Sequence, residues 1–339
     1  MNFEIIITTY NRSLPVNNLV QSLLVCRPAP TSIIVVDSSE VKDLHLQQTS
    51  GVVYIRSSHK NQPYQRYLGF LASKEEIVCF FDDDIQIFNP AIFEIILDRY
   101  SDEEVVGSSV KFINEGEITI HKELNSGKEI KSSSKLSSFL RLLSGVPKIS
   151  EGKGWLAGLR GVDESNLFTE TFSGPGGLSF RRYIVPYLFD DVLFSLFEKK
   201  MAMGEDKYIS MGAIRFGRLA FSNTICIIHP ANDSTYFQDI TSFVRKEIYS
   251  RLFLSKRYLQ VKQKWIGWAY IHFYWYALWR IANACMYSIF YPDRKSNQKL
   301  KGRLLGVLDT LSKPLKASFL CPEINWELEL SEDLKKSGI

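Results

Sequence analysis

Three consecutive carboxylates, Asp82-Asp83-Asp84, follow the apolar run Ile77-Val78-Cys79-Phe80-Phe81. Packed like charges repel and raise one another's pKa values, and a bound cation relieves that repulsion. Carboxylate oxygens with no Cys or His beside them suit a hard ion, Mg2+ or Mn2+, which would in turn hold phosphates. A solvated loop after a strand would leave the same triplet, so its meaning depends on the rest of the chain. A second acid pair, Glu205-Asp206, stands at a predicted helix start. Two acids there would also simply complement the helix dipole. His229 follows a predicted strand, Phe221 to Ile228. A lone His in that place is usually structural, but imidazole is an acceptable Mn2+ ligand where the chain returns to a metal site. The glycines of Phe172 to Arg182 either let backbone approach a ligand closely or form a plain turn before a strand.

The elements that must position these groups alternate. Phe3–Thr9, Ile33–Val36, Val52–Ile55, Ile77–Asp82 and Val105–Phe112 read as buried strands. Between them come a helix capped by Ser13, a helix over Gln62 to Ser73 and a helix from about Pro90 to Tyr100. Strand–helix alternation implies an α/β fold, a mostly parallel sheet flanked by helices with right-handed crossovers. Thr9, Tyr10, Asp37 and Asp82 then share the edge formed by strand C-termini, where open α/β sheets bind ligands. No glycine-rich phosphate loop follows the first strand, so phosphates must be held another way, and a metal on the Asp cluster supplies it. Asn114 to Ser150 reads as a polar insertion, and Gly152 to Gly161, with Trp155, as a flexible flap.

The net charge of +4 on 339 residues hides an asymmetry. Thr241 to Lys316 holds 15 Lys and Arg against 3 Asp and Glu, a balance of +12 that leaves −8 for the remainder. That shift divides the chain into an acidic part, 1–235, and a basic, aromatic helical part, 236–339. The five scattered cysteines have neither metal-finger nor redox spacing and read as reduced thiols of a cytoplasmic protein. The N-terminus enters a strand at Phe3 without a basic region or cleavage site, so no signal peptide is expected.

Thr241 to Lys264 carries seven Lys or Arg against one Glu, interleaved with apolar residues, as a basic amphipathic helix does. In Trp265 to Pro292, 11 of 28 residues are Trp, Tyr or Phe. That is long enough to span a bilayer, but Arg280 is expensive in hydrocarbon, and Trp and Tyr favour the interface. The expectation is a set of helices lying on the inner face of the cell membrane, held by apolar insertion and anionic lipid. An ordinary helical subdomain packed on the first part would account for the same residues. A nucleic acid is not an expected partner, because the acidic first part would repel a polyanion.

Together these segments resemble the inverting glycosyltransferases of family 2, with the GT-A fold, over about residues 3 to 230. The resemblance rests on the first strand running into Thr-Tyr-Asn, Val-Asp-Ser after the second, Gln65-Arg66, and Phe-Asp-Asp-Asp as the DxD motif. It rests further on Gly-Gly-Leu-Ser-Phe-Arg-Arg, Gly-Glu-Asp and the late His. It implies that Thr8, Tyr10 and Asp37 hold base and ribose, with Asp82 and Asp83 lining the nucleotide-sugar site and Asp83 on the ribose side. Arg66 would serve the nucleotide or its phosphates, Asp84 and His229 the metal, and Asp206, with Glu205 beside it, the base. Tyr67 stands where the family often has Asn, which leaves that role open.

The function implied is transfer of a sugar from a nucleotide diphosphate, UDP being the commonest donor, to a glycan or lipid-linked glycan in polysaccharide synthesis. Two alternatives are weighed. A sugar-nucleotide nucleotidyltransferase would have a glycine-rich, Arg-containing loop where Thr-Thr-Tyr-Asn-Arg stands. A non-catalytic, membrane-bound glycan-binding protein would not need Asp84 and Asp206 intact.

Overall fold

The computed structural model describes residues 1–115, 168–172, 174, 176–230, 239–290, 293–313, 315–316 and 320–339. The expected insertion beyond Glu115, the expected flap with Trp155 and the boundary between residues 235 and 236 lie outside them.

Strands β1 (Phe3–Thr9), β2 (Ser32–Asp37), β3 (Val52–Arg56) and β4 (Ile77–Asp82) form a parallel half-sheet in the order β3-β2-β1-β4. These strands are rich in β-branched and aromatic residues, and β1, β2 and β4 are covered on both faces, which is why they read as continuous apolar runs. Alternate side chains enter opposite layers. Ile6, Ile34, Val36, Val78 and Phe80 lie in one apolar cluster, and Ile5, Ile7, Ile33, Val35, Cys79 and Phe81 in the other. The far half-sheet adds β5 (Gln86–Ile87), β6 (Val105–Asn114), β7 (Phe168–Thr169), β8 (Gly176–Arg181) and β9 (Arg218–His229). β8 lies antiparallel between β4 and β6, and β9 runs parallel to β6. Most residue pairings in the mixed sheet are parallel, and the α/β expectation holds.

Register decides what reaches the ligand edge. Thr9 pairs with Asp37, Thr8 with Asp82 and Asp37 with Arg56, so β1, β2, β3 and β4 present these groups side by side. Phe81 pairs with Gly176 and Asn114 with His229, which carries the end of β9 to the same edge.

Helices α1 (Ser13–Leu24), α2 (Leu44–Gln48), α3 (Gln62–Ala72), α4 (Ile92–Asp98), α5 (Asp191–Glu198) and α6 (Glu205–Ala213) accompany the sheet. Asn61 caps α3 by accepting from the Tyr64 N–H at 3.3 Å. Gly69 lets α3 sit close, since a Cβ there would meet Ile6 Cγ2 at 2.6 Å. One expected detail differs. Ser13 is the first helical residue rather than the cap; the cap position falls to Arg12, and the Ser13 hydroxyl donates to Asp43. The helix beginning near Pro90 starts at Ile92 and ends in a 3-10 turn, Arg99–Ser101.

The basic part folds as α7 (Ile240–Val261), α8 (Gly267–Phe290) and α9 (Arg294–Ser312). α7 packs on α6, with the Tyr208 and Phe253 rings stacked at 4.5 Å. Gly302 and Gly306 admit α7 to α9: a Cβ on them would sit 2.6 Å from the Thr241 carbonyl oxygen and 2.7 Å from Ile248 Cβ. No helix among the described residues is long and apolar enough to cross a membrane. Glu327 to Asp333 lie in α10 (Trp326–Lys336), capped by Asn325. α10 returns to β3 and α3, where Asp333, 2% exposed, accepts from Ser58 N and Oγ, both at 2.8 Å, and from the Tyr64 hydroxyl at 3.0 Å. Trp326 donates to Ser195 Oγ at 3.2 Å.

Candidate active site

Beside the ends of β1 and β2 lies a cavity of about 470 Å³, lined among others by Thr9, Asn11, Asp37, Ser39, Lys42 and Asp43. Asp37, 2% exposed, is fixed from three sides: by the Ser39 N–H at 2.7 Å, by Arg56 Nη1 at 3.0 Å and by the Tyr54 hydroxyl. Burial and the Asp37 carboxylate both push the Tyr54 phenol up, so it remains a donor. Thr8 is buried, and Tyr10 is exposed with Lys60 Nζ 4.2 Å above its ring. Gln65 ties the edge together, donating to the carbonyls of Thr9 at 3.1 Å and Val36 at 2.9 Å.

The three acids after β4 have three different surroundings. Asp82 accepts from Gln62 Nε2 and Arg66 Nη2, both at 2.7 Å. Burial pushes its carboxyl up to about 8 against the pull of Arg66, with Glu205 and Asp84 adding to the rise. Asp83 accepts from Thr9 Oγ1 at 2.6 Å and Arg12 Nη1 at 3.0 Å; burial still raises its pKa. Asp84 Oδ2 meets the same Arg12 nitrogen at 2.6 Å, and Asp84 Oδ1 lies 3.7 Å from His229 Nε2. Burial opposes the charge on Arg12, but Asp83 and Asp84 outweigh it and raise its pKa.

Arg66 differs from expectation. Its side chain is 0% exposed and bridges Asp82 to Glu205, whose Oε1 lies 3.4 Å from Nη1. It stands behind the acids and joins β4 to the start of α6. Glu205 is spent on this bridge; burial, then the neighbouring Asp206, raise its pKa against Arg66. Asp206 points elsewhere, accepting from the Gly174 N–H at 2.9 Å at the turn into β8. The glycines of this turn serve packing. A Cβ on Gly174 would meet the Phe112 ring at 2.6 Å, and Gly177 has φ +70.

The edge thus gathers Thr8, Thr9, Asp37, Asp82, Asp83, Asp84, His229 and, through Arg66, the Glu205-Asp206 pair. Sequence reasoning overlooked Arg12, Gln62, Tyr54 and Arg56. Their signal was position alone: Arg12 just past β1, Arg56 closing β3.

Among the described residues no group of three or more His, Cys, Asp and Glu is gathered to hold a metal. Asp84 and His229 nonetheless fit a divalent ion. Their facing oxygen and nitrogen, 3.7 Å apart, suit two donors each ~2.1 Å from one ion. Mg2+-like sites take few protein ligands when phosphates supply the rest. Four carboxyl groups, Asp82, Asp83, Asp84 and Glu205, share two guanidinium groups, Arg12 and Arg66, which leaves this cluster short of positive charge.

Residues 4–160 match the family model described as glycosyl transferase family 2. That segment is a glycosyltransferase family 2 domain. Among solved structures, this glycosyltransferase is similar to a mannosyltransferase from Pyrobaculum calidifontis solved with GDP-Man and Mn2+. The TM-score is 0.51 and the identity 12%, over 91% of this chain and 87% of that one. It is also similar to residues 1–349 of S. aureus TarS in complex with UDP-GlcNAc, at TM-score 0.49 and 13% identity, over 99% and 88% of the two chains. The first likeness shows the GT-A fold. No curated protein matches the chain by sequence. The enzyme is a glycosyltransferase.

Proposed function

We propose that the enzyme takes its sugar from a nucleotide diphosphate, UDP being the first donor to test, and passes it to an acceptor hydroxyl with inversion. The acceptor in this reading is a glycan or lipid-linked glycan of a polysaccharide pathway. The cavity beside Asp37 and Tyr10 takes the base and ribose, with Thr8 and Asp83 at the ribose end. A divalent cation, Mn2+ or Mg2+, held by Asp84 and His229 supplies charge stabilisation to the departing diphosphate. Asp206 takes the proton of the attacking hydroxyl as the new bond forms. Gly174 N–H holds one of its oxygens, which leaves the other for the acceptor. Arg66 and Glu205 are positioning residues: their ion pair seats the head of α6 against β4.

That bridge carries the proposal, because it ties the helix bearing Asp206 to the strand bearing the metal-side acids. Nucleotide-sugar and Mn2+ complexes of the mannosyltransferase support the donor and ion by analogy of fold only. In Asp206→Asn, donor hydrolysis or transfer should fall about 10²–10⁴-fold with nucleotide affinity unchanged. A fall of less than about threefold, against the same scale, removes Asp206 as the base.

The division into a transferase part, 1–235, and a helical part, 236–339, belongs to the same reading. So does a seat on the cytoplasmic face of a membrane. One side of α8 is exposed and apolar at Trp268, Ile271, Trp275, Leu278, Met286 and Ile289, an i, i+3, i+7 stripe. Exposed Lys262, Lys264, Arg294 and Lys295 flank its two ends. A stripe of aromatic and aliphatic side chains between basic ends complements an anionic lipid surface.

A further inference from the structure

A second polar cavity lies far along the chain from the acids, between the C-terminal half of α8 and the N-terminal half of α9. Its volume is about 280 Å³, and Asn283, Ala284, Tyr287, Ser296, Lys299 and Arg303 line it. Its floor is unusual. Arg303 is 8% exposed, and its one hydrogen bond to a described residue runs from Nη1 to the Arg280 carbonyl oxygen at 2.7 Å. Its Nε is buried without a partner, as is that of Arg280. No carboxylate among the described residues pairs with Arg303. Glu247, an acid whose charge partly offsets that of Arg303, pairs with Arg280 at 3.5 Å. Exposed Asp293 caps α9 at Ser296, at the solvent side of the cavity.

A buried guanidinium without a counter-ion is costly. Burial and the neighbouring Arg280 accordingly pull the Arg303 pKa down, an effect that an anion in the cavity would reverse. The lining matches an oxyanion. Arg303 offers planar donors from below and Lys299 a mobile ammonium from the rim, and Ser296, Asn283 and Tyr287 add neutral donors. We propose that this cavity is a binding site for a phosphate group, distinct from the donor site. Met286 and Phe290, both exposed, stand one residue before and three after the lining residue Tyr287 on α8, so the phosphate to be tested includes one borne on a lipid. The site does not depend on the transferase reading, since none of its residues belongs to the acidic edge.

The test uses the full chain. Inorganic phosphate, compared with chloride at matched ionic strength, should raise Tm by about 2 °C or more at ten times its Kd. Lys299→Glu, an exposed substitution that leaves the helix interior intact, should abolish that rise; Arg303→Met should do the same, with circular dichroism reporting on its folding. Flotation then uses phosphatidylcholine vesicles with and without phosphatidylglycerol. If the phosphate is a lipid headgroup, Lys299→Glu weakens the phosphatidylglycerol-dependent binding on the order of 10–30-fold, two charges' worth, and leaves binding to neutral vesicles unchanged. If the phosphate response is lost while vesicle binding is unmoved, the site stands and its ligand is a free phosphate compound. If Lys299→Glu leaves both the phosphate response and the lipid dependence intact, or phosphate gives no response, the site is refuted. Donor hydrolysis should be the same in wild type and Lys299→Glu, so failure here is separable from failure of the catalytic reading.

Discussion

Replacing Arg66 by Met removes a guanidinium with no solvent exposure from between two acids while keeping an unbranched apolar stem. The structure sets the scale. Nη2 lies 2.7 Å from Asp82 and Nη1 3.4 Å from Glu205, and these carboxylates retain only 22% and 14% exposure. Removing one partner of such a buried pair costs roughly 3–5 kcal/mol, because the other charge is left behind. Whole domains are stable by roughly 5–15 kcal/mol, so Arg66→Met should consume about a fifth or more of that margin. Urea unfolding followed by tryptophan fluorescence should show the loss as a lower midpoint at unchanged slope. Neutralising the stranded acids is the second arm. Arg66→Met with Asp82→Asn and Glu205→Gln should recover most of the lost stability, since exchanging a buried ion pair for uncharged groups is often nearly neutral. Activity should not recover with it if the bridge is what orients Asp206. A loss below about 1 kcal/mol, the range of exposed pairs, would show that Arg66 is not the buried link on which the site geometry rests.

Other outcomes follow from single contacts. His229→Ala should remove the Mn2+-dependent part of the thermal shift given by UDP and spare the metal-independent part; if both persist, the metal lies elsewhere. Gly69→Ala should destabilise by about 1–3 kcal/mol through overpacking against Ile6 and Val36, as read from its urea midpoint. The attachment of α10 should depend on pH. His59 lies between Glu198 at 3.4 Å and Glu329 at 3.5 Å, with the Tyr64 and Trp326 rings against it. Burial opposes its charge, but the two carboxylates win and raise its pKa, while His59 lowers that of Glu198. A raised His pKa stabilises below the unfolded value of about 6.5, and the effect is lost as pH climbs through the folded value. A lowered Glu pKa stabilises above about 4.5 and is lost as pH falls through the folded value. Hydrogen exchange of α10, corrected for intrinsic rates, should therefore quicken from pH 6 to 8, and His59→Gln should flatten the change.

What could be read in advance depended on whether the information was local. The run Ile77 to Asp82 identifies a buried strand by itself, and each strand after a helix lands parallel to the last, so Asp37 and Asp82 had to share an edge. His229 was legible for the same reason, as the last residue of a strand. Arg12 was not. Pattern places its backbone beside the acids, but nothing in pattern says that a long side chain leaving a helix cap will turn back to meet Asp83 and Asp84. Arg66 sits on the expected helix but is buried between Asp82 and Glu205, and a buried arginine is rare enough that its partners must be seen before burial is believable. α10 was the hardest. Its acidic residues look like a solvated tail, and the group that explains Asp333, the Ser58–Tyr64 pocket, lies 275 residues away.

These three groups share a direction. In each, a charge is consumed inside the protein: Arg66 by two acids, Asp333 by three donors, Arg12 by Asp83 and Asp84. Low-dielectric surroundings make such pairings strong once formed and expensive to leave half-made. A site assembled this way is held before substrate arrives, which is what electrostatic catalysis needs. It also gives a criterion for the groups that remain. At the acidic edge the surplus is negative and a divalent cation would offset it. Between α8 and α9 the surplus is positive and lies at Arg303, whose Nε has no partner. An anion in that cavity would balance the buried guanidinium as a cation would the acidic edge.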